Sequence, residues 1–247
     1  MANLILPDPR MEMPELLEPG RKPVGPVEID RGHPLARGLV GCYLFRPNHG
    51  AVDLVSGEVT PLHSSMTIGP SGLDLTNHTN VTDLPAPILG TEFTFHVEAR
   101  KTTGTFESLK VLFSYREGTG TNDTFIFYPW DTNNGSGIRA YYDNAARLNQ
   151  NSGAAHGDTD WHSFTLTGDD GTSSCNGRID TKLVAGIPSV LQAMTATPTA
   201  ISLGGWYGTQ QLCNDIYVKH FYVYDRNLRS TEIDSLHQSP YQFLIPA

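Results

Sequence analysis

An alternation of apolar and polar residues with a period of two recurs along the chain from Leu39 onward. In the stretch TEFTFHVEAR, Phe93, Phe95, Val97 and Ala99 share one parity, and mostly polar residues occupy the other. Successive side chains of an extended strand point to opposite faces of a sheet. The stretch therefore predicts a strand with one face in the core and one face outside it.

Similar segments follow one another between clusters of Gly, Asn, Asp and Thr: LVGCYLF, GPSGLDL, LKVLFSY, TFIFYPW, GIRAYY, WHSFTLTG, TAISLGGW and DIYVKHFYVY. We also expect a hairpin at CNGRID, with the Asn-Gly pair inside it. About ten to twelve short strands with these turn signals are typical of a β-sandwich. The last segment is apolar or aromatic at both parities, which predicts a central strand covered on both faces.

The last strand leads into the only segment that predicts a helix, in DRNLRSTEIDSLHQ. The Asp and Asn of the first four residues favour a sharp turn, and Leu228 can pack back into the core. Ser230 or Thr231 can cap a helix of about two turns, and Ile233 and Leu236 fall on one of its faces. We therefore expect an all-β protein that ends with one short helix.

Residues 1–34 have a different pattern. Seven of the 17 prolines lie here, and each removes a backbone donor, so neither a helix nor a central strand is expected. The segment is also rich in apolar residues, which a disordered linker does not need. We predict an extended arm that docks on a partner, ahead of a sandwich over residues 35–247; a flexible tail is the alternative. The predicted contact side chains are Leu4, Ile5, Leu6, Met11, Met13, Leu16, Leu17, Val24, Val27 and Ile29.

Composition narrows the classes of partner. The chain carries 17 basic and 26 acidic residues, a net charge of -9, and no basic run, which argues against nucleic acid because phosphate binding needs clustered Lys and Arg. No apolar run reaches the ~18 residues of a membrane span.

The first 20 residues lack a basic region and a long apolar core, so we expect no signal peptide. Cys42, Cys175 and Cys213 lack CxxC spacing and are predicted to be buried or half-buried free thiols, as in a reducing cytoplasm.

Six motifs in order resemble the LamG-like jelly roll of the concanavalin A-like lectin and glucanase superfamily. They are LARGLVGCYLF, the Asp-x-x-Ser-Gly turn at 53–57, GPSGLDLTNHTNVTDLP, EFTFHVEAR, DWHSFTLTGDDGTSSCNGRID, and ISLGGW followed by DIYVKHFYVYDRNLRSTEIDSL. The resemblance covers roughly residues 35–241 and implies a jelly-roll β-sandwich. A shared fold does not by itself fix a function.

Catalytic motifs are weak. Glucanases of the superfamily place three acids as E-x-D-x-x-E, whereas the nearest match here is Glu28-Ile29-Asp30 followed by His33, inside the Pro-rich arm. No G-x-S-x-G is present, and no His pair has H-x-x-x-H spacing beside a glutamate. We therefore expect no enzymatic activity and no required cofactor.

Binding chemistry remains as two hypotheses. Lectin-like sandwiches often hold Ca²⁺ with loop oxygens, and the weak candidates are Asp53, Asp131, Asp169 and Asp170, although Asp in turns usually serves the turn itself. A sugar would need an exposed aromatic platform with nearby polar groups, although aromatics most often fill the interior. The candidate glycan contacts are Tyr128, Trp130, Trp206, Tyr207 and Gln210.

Two functions follow from these features. The arm, together with GHPLARGLVGCYLF and SPYQFL, which resemble LamG-like proteins encoded among phage virion genes, predicts a structural protein of a tailed-phage virion: a capsid decoration, head-fibre or tail-associated subunit. It would be made in the host cytoplasm, contact capsid or tail subunits, form a homo-oligomer, and bind surface glycans weakly through many copies. The alternative is a free carbohydrate-binding module or lectin, with or without calcium.

Overall fold

A computed structural model of the chain describes residues 8–18, 20–102, 111–116, 124–131, 137–142, 145–150, 159–169, 174–188, 199–206, 212–213 and 215–247. Within them the chain divides into two compact units. One unit is Leu39–Leu228, and the other joins the two ends of the chain, up to Gly38 and from Arg229 to Ala247. In this division the C-terminal helix belongs with the N-terminal segment.

Strands account for about half of the described residues, as the alternation predicts. They are β1 (Val27–Ile29), β2 (Leu39–Arg46), β3 (Gly50–Asp53), β4 (Val59–Thr60), β5 (Thr67–Gly69), β6 (Gly72–Asp74), β7 (Thr82–Leu84), β8 (Glu92–Lys101), β9 (Phe113–Arg116), β10 (Thr124–Asp131), β11 (Gly137–Tyr142), β12 (Ala145–Gln150), β13 (His162–Asp169), β14 (Ser174–Ile179), β15 (Lys182–Pro188), β16 (Ala200–Leu203), β17 (Ile216–Tyr224) and β18 (Leu244–Pro246).

The larger unit is a sandwich of two antiparallel sheets. A six-stranded sheet has the order β12-β11-β10-β9-β16-β7. A ten-stranded sheet has the order β15-β14-β13-β8-β17-β2-β3-β4, and β6 joins it through β17 and pairs with β5. Strands β7 and β4 are thus edge strands of the two sheets. The all-β sandwich predicted from the sequence is confirmed.

The core lies between the two sheets and is built by strand parity. Phe93, Phe95, Val97 and Ala99 of β8 all belong to it, as the alternation predicts. Phe95 packs against Phe113 of β9 with ring centroids 5.1 Å apart, which joins the two sheets. Burial of these residues removes a large apolar area from water and supplies most of the driving force for folding.

Strand β17 is central, between β8 and β2, and both its faces are largely buried. Its exit is held by one hydroxyl: Oγ1 of Thr94 donates to the carbonyl of Arg226 at 2.8 Å and accepts from the backbone N–H of Leu228 at 3.0 Å. Leu228 is buried, as predicted. The chain must leave the sheet directly after β17, because this strand is central. The sharp turn at DRNL makes that exit possible.

The hairpin predicted at CNGRID is confirmed as the antiparallel pair β14–β15, with Asn176 and Gly177 inside it. Both residues lie inside β14, and the β14–β15 turn is at Asp180, which has a φ of 54°. Asp tolerates this left-handed conformation better than most residues. Its carboxylate also accepts from the backbone N–H of Ser163 at 3.0 Å, which anchors the turn to β13. These tertiary contacts, rather than the local preference of Asn-Gly for a turn, determine where this hairpin turns.

The smaller unit contains three short 3-10 helices, Pro9–Glu12, Pro14–Leu16 and Pro34–Ala36, the helix α1 (Ser230–Gln238) and the pair β1–β18. The helix has the predicted bounds, but its N-cap is Arg229 rather than Ser230 or Thr231. The backbone N–H of Arg229 donates to Oε2 of Glu232 at 2.8 Å. This contact satisfies the backbone N–H of the N-cap residue, as the N3 glutamate does in a capping box.

The apolar side chains predicted to contact a partner divide into three groups. Met13, Leu16, Val27 and Ile29 are buried within the chain, so they are not available to a partner in this structure. Three others are exposed, with exposed fractions of 66% for Met11, 49% for Leu17 and 84% for Val24. The remaining three, Leu4, Ile5 and Leu6, lie outside the described residues.

The cysteines are free and buried at all three positions, as predicted. Burial raises the pKa of the Cys175 thiol to about 12, so this thiol stays protonated and unreactive at neutral pH. No helix in the described ranges is both long and apolar enough to cross a membrane.

Candidate functional site

A cleft of about 620 Å³ lies in the sandwich beside the edge strands β4 and β7. Apolar side chains and prolines form part of its wall, and charged and hydroxyl side chains form the rest. This combination is typical of small-ligand sites, where a few polar groups fix the orientation of the ligand. The lining residues are Glu58, Val59, Thr60, Pro61, Asp83, Leu84, Pro85, Arg116, Thr199 and Ala200.

The polar centre of the cleft is the carboxylate of Asp83. Nη2 of Arg116 donates to Asp83 Oδ2 at 2.6 Å, and Oγ of Ser202 donates to Asp83 Oδ1 at 2.5 Å. Ser202 is fully buried, whereas the side chain of Asp83 is 49% exposed and that of Arg116 is 14% exposed. The carboxylate is therefore held by two donors from the protein, while about half of the Asp83 side chain is exposed to solvent.

Strand pairing brings these three residues together. Ser202 of β16 lies opposite Asp83 of β7 on one side and opposite Ser114 of β9 on the other. Arg116 lies two positions after Ser114 on the same face of β9, because strand side chains alternate. Its carbonyl accepts from the backbone N–H of Thr199 at 2.7 Å, which fixes the end of β9.

Core tyrosines hold the segment after β7, which continues the wall of the cleft. The hydroxyl of Tyr43 donates to the carbonyl of Pro85, and the hydroxyl of Tyr115 donates to the carbonyl of Pro87 at 2.9 Å. Both tyrosines are buried, and burial raises the pKa of Tyr43, so its hydroxyl remains a donor. Two hydrogen bonds thus attach the segment after β7 to the core.

Residues 204–206 are anchored by side chains, one of which, Ser114, belongs to the same row of polar residues. Oγ of Ser114 donates to the carbonyl of Trp206, and the Nε2 atom of buried His78 lies 2.6 Å from the carbonyl of Gly204. Gly204 has a φ of 85°, which favours glycine, and an added Cβ would lie 2.9 Å from the His78 ring. Trp206 itself is half-buried and does not line the cleft.

The other predicted glycan contacts are not tested by the described geometry. Tyr128 and Trp130 lie in β10, and their side chains are outside the described part of the chain. Tyr207 and Gln210 lie wholly outside it. These four residues stay predictions, and Trp206 is the one candidate that the structure connects to the cleft region.

The metal candidates have other roles or are not described. Asp53 accepts from the backbone N–H groups of Cys42 at 2.9 Å and Val55 at 3.0 Å, and from the hydroxyl of Ser56 at 2.7 Å. These donors occupy both carboxylate oxygens, so Asp53 holds the turn after β3 rather than a cation. Asp169 ends β13, while Asp170 and the side chain of Asp131 lie outside the described residues. Over the described ranges, no group of three or more His, Cys, Asp or Glu residues could hold a metal.

Asp83 and Arg116 carry no signal in the sequence. Each is a single polar residue in or at the end of a short strand, and the two lie on strands that pair only through β16. Their partnership depends on the order of strands in the six-stranded sheet. Asp83 lies two residues before a proline and Arg116 lies directly after a tyrosine, and neither arrangement identifies a site.

Comparisons with known proteins place the fold. No protein-family model matches the chain, and no curated protein matches it. Among solved structures, Trypanosoma rangeli sialidase is 18% identical, with a TM-score of 0.60, over 82% of this chain and 33% of the sialidase. A mutant of that enzyme displaying trans-sialidase activity is 17% identical, with a TM-score of 0.60, over 89% of this chain and 37% of its own.

The Ruminococcus gnavus IT-sialidase CBM40, bound to α2,3-sialyllactose, is 14% identical, with a TM-score of 0.48, over 65% of this chain and 94% of that module. The chain spans only about a third of the length of the sialidases it matches. At these identities the likeness shows the fold alone. The LamG-like assignment stays a prediction.

The sialidase neighbours correct one expectation. The absence of catalytic motifs led us to predict no enzymatic activity, but the solved structures similar to this chain include an enzyme captured as a covalent intermediate with 2,3-difluorosialic acid. Weak motifs on a β-sandwich are therefore no ground for excluding catalysis. What is shown is a jelly-roll β-sandwich, a fold that this chain shares with part of the sialidase structures.

Proposed function

We propose that this protein is a carbohydrate-binding protein and that the cleft beside β4 and β7 takes the sugar. The observation that carries the proposal is the carboxylate of Asp83, which Arg116 and Ser202 hold in place at 2.6 and 2.5 Å while its own side chain stays half-exposed. A fixed carboxylate beside a guanidinium offers acceptors and donors to neighbouring hydroxyl groups of a sugar ring.

The shape of the cleft supports the same ligand class. About 620 Å³ accommodates one or two sugar rings, and Leu84, Pro85 and Pro61 supply apolar wall for the C–H faces of a ring. Thr60 and Thr199 add hydroxyl groups at the rim. The sialidase structures in this fold include one in complex with sialic acid, which is a sugar.

A glycan array tests the proposal directly. The full chain is expected to give reproducible signals on a subset of glycans, and the glycans bound are then incubated with the protein and analysed for cleavage. Glu58 and Asp83 line the same cleft, and glycoside hydrolysis commonly uses two carboxyl groups. Released product that disappears in Glu58→Gln would assign hydrolysis as well as binding to the cleft. An array without signal for the wild-type chain contradicts the proposal.

We propose as a second function that this protein is a structural protein of a tailed-phage virion. This proposal rests on the N-terminal arm, residues 1–34. Met11, Leu17 and Val24 are exposed apolar side chains within the smaller unit, and apolar groups of this kind suit contact with a capsid or tail subunit. Deleting residues 1–34 would also remove β1, which pairs with β18, so side-chain changes make the sharper test.

Replacing Met11, Leu17 and Val24 together with Ser is expected to lower co-sedimentation with virions roughly tenfold or more, because the apolar contact area is lost. The measurement is the copy number per particle by quantitative mass spectrometry. Ile88→Ser, which alters a 72% exposed apolar side chain in the larger unit, is the matched control. A triple variant that stays on particles at wild-type copy number rules out docking through this surface.

A further inference from the structure

A second group of charged and aromatic side chains lies on the ten-stranded sheet, apart from the cleft. We call it the Trp161 cluster, and it consists of Glu98 and Arg100 of β8, Tyr217 and Lys219 of β17, and Trp161 just before β13. Tyr217 lies opposite Arg100 in the register of the two strands. A register shift between Val218 and His220 places Lys219 at an irregularity of β17.

The guanidinium of Arg100 is held by two aromatic rings. Its central carbon lies 5.1 Å from the ring centroid of Trp161 and 5.0 Å from that of Tyr217, both within the range of cation–π attraction. The ammonium of Lys219 also lies over Trp161, at 4.3 Å. Trp161, Tyr217 and Arg100 are each half-buried, so part of each side chain faces solvent.

The two cations differ in how their charge is balanced. Nζ of Lys219 lies 2.5 Å from Oε1 of Glu98, a direct ion pair. Arg100 has no carboxylate partner among the described residues, and its one hydrogen bond there is a long one, from Nη2 to Oγ of Ser71 at 3.4 Å. Its Nε is enclosed and has no hydrogen-bond partner in that part of the chain.

A half-buried guanidinium without an anion is an unusual arrangement, because burying a charge costs free energy unless the charge is paired. The rings fix the guanidinium and leave its terminal N–H groups as donors. Arginine suits carboxylate, sulfate and phosphate oxygens because its planar fork can donate two parallel hydrogen bonds.

We propose that the Trp161 cluster binds the oxyanion of an acidic saccharide, with Arg100 as the main donor and the exposed parts of Trp161 and Tyr217 against the sugar ring. This site is distinct from the cleft and adds selectivity for charge to the proposed binding of carbohydrate. The chain carries a net charge of -9, so an anionic saccharide is repelled by the protein as a whole. Binding of such a saccharide therefore requires a local cationic site.

The test is isothermal titration of the full chain with three probes of similar length: oligogalacturonate, sulfated dextran oligomers and neutral malto-oligosaccharide. We expect at least one anionic probe to bind, more weakly as salt is raised, and we expect the carboxylate and sulfate arms to identify the preferred oxyanion. Arg100→Gln is expected to weaken that binding roughly tenfold or more. Arg100→Lys, which keeps the charge without the fork, is expected to lose most of the same affinity.

Arg178→Gln is the matched control. It also removes a guanidinium from the ten-stranded sheet, but the guanidinium of Arg178 donates to the backbone carbonyl of Thr181 and lies outside the Trp161 cluster. It is expected to bind like the wild type, and thermal melts of each variant separate loss of binding from loss of fold. The proposal is overturned if neither anionic probe binds, or if folded Arg100→Gln binds as tightly as Arg178→Gln. If the array shows binding of a neutral glycan but neither anionic probe binds, the cleft remains the proposed sugar site and the Trp161 cluster is rejected as an anion site.

Discussion

Replacement of Arg116 by Met is expected to weaken glycan binding by about tenfold to a hundredfold, or roughly 1.4–2.8 kcal/mol. The change removes the guanidinium that fixes the Asp83 carboxylate at 2.6 Å and keeps most of the side-chain volume. It also removes donors that a sugar hydroxyl group can use. Titration with the glycan that gives the strongest array signal measures the effect.

Two further variants make this result specific. Asp83→Asn keeps the size of the side chain and one acceptor oxygen but removes the charge, and we expect a loss of several-fold in affinity. Arg178→Met, on β14, is expected to bind within about twofold of the wild type because Arg178 is not among the described residues that line the cleft. If Arg116→Met folds and binds as tightly as Arg178→Met, the cleft is not the sugar site.

Replacement of Asp53 by Ala is expected to lower the free energy of unfolding by about 3 kcal/mol. Asp53 is buried, and its carboxylate satisfies the backbone N–H groups of Cys42, Val55 and Ser56 as well as the Ser56 hydroxyl. Without it, the fully buried N–H of Cys42 loses its side-chain acceptor. For a domain of this size the change corresponds to a drop of roughly 6–12 °C in Tm, which calorimetry measures.

Asp74→Ala supplies the control for that prediction. Asp74 also ends a strand, but its carboxylate serves only the local turn, accepting from the backbone N–H of Thr76 at 2.9 Å and from its hydroxyl at 2.6 Å. We expect this variant to cost about 1 kcal/mol, since water can replace the lost acceptor at a half-buried site. Equal losses for the two variants would show that Asp53 does not join β2 to the turn as described.

The sandwich could be predicted from the sequence because its signals are local. The alternation in β8 reflects one face in the core, and the apolar character of β17 at both parities reflects a central strand with two covered faces. The short helix could be placed because its apolar residues and its preceding turn are adjacent in the chain. Each of these patterns depends on residues within one segment.

The site could not be predicted because it depends on strand order. Asp83 and Arg116 meet through β16, and nothing in either segment specifies that β7 and β9 are its two neighbours. In the Trp161 cluster, Arg100 and Lys219 have the pattern of ordinary polar positions on a strand. The turn at Asp180 was missed for a related reason, since its contact with Ser163 of β13 is a tertiary one.

The apolar arm illustrates the same limit in another way. Its composition predicts contact with something apolar, but composition does not identify the surface that is contacted. Val27 and Ile29 are buried within the chain, in a strand that pairs with β18. Only three of the described candidates, Met11, Leu17 and Val24, remain exposed enough to serve a partner.

The most direct test of the central claim is a crystal structure of the chain with the glycan that binds most strongly on the array. We expect the sugar in the cleft beside β4 and β7, with its hydroxyl groups within hydrogen-bond distance of Asp83 and Arg116. A sugar bound elsewhere on the molecule, with this cleft open to solvent, would contradict the assignment of the cleft as the carbohydrate site.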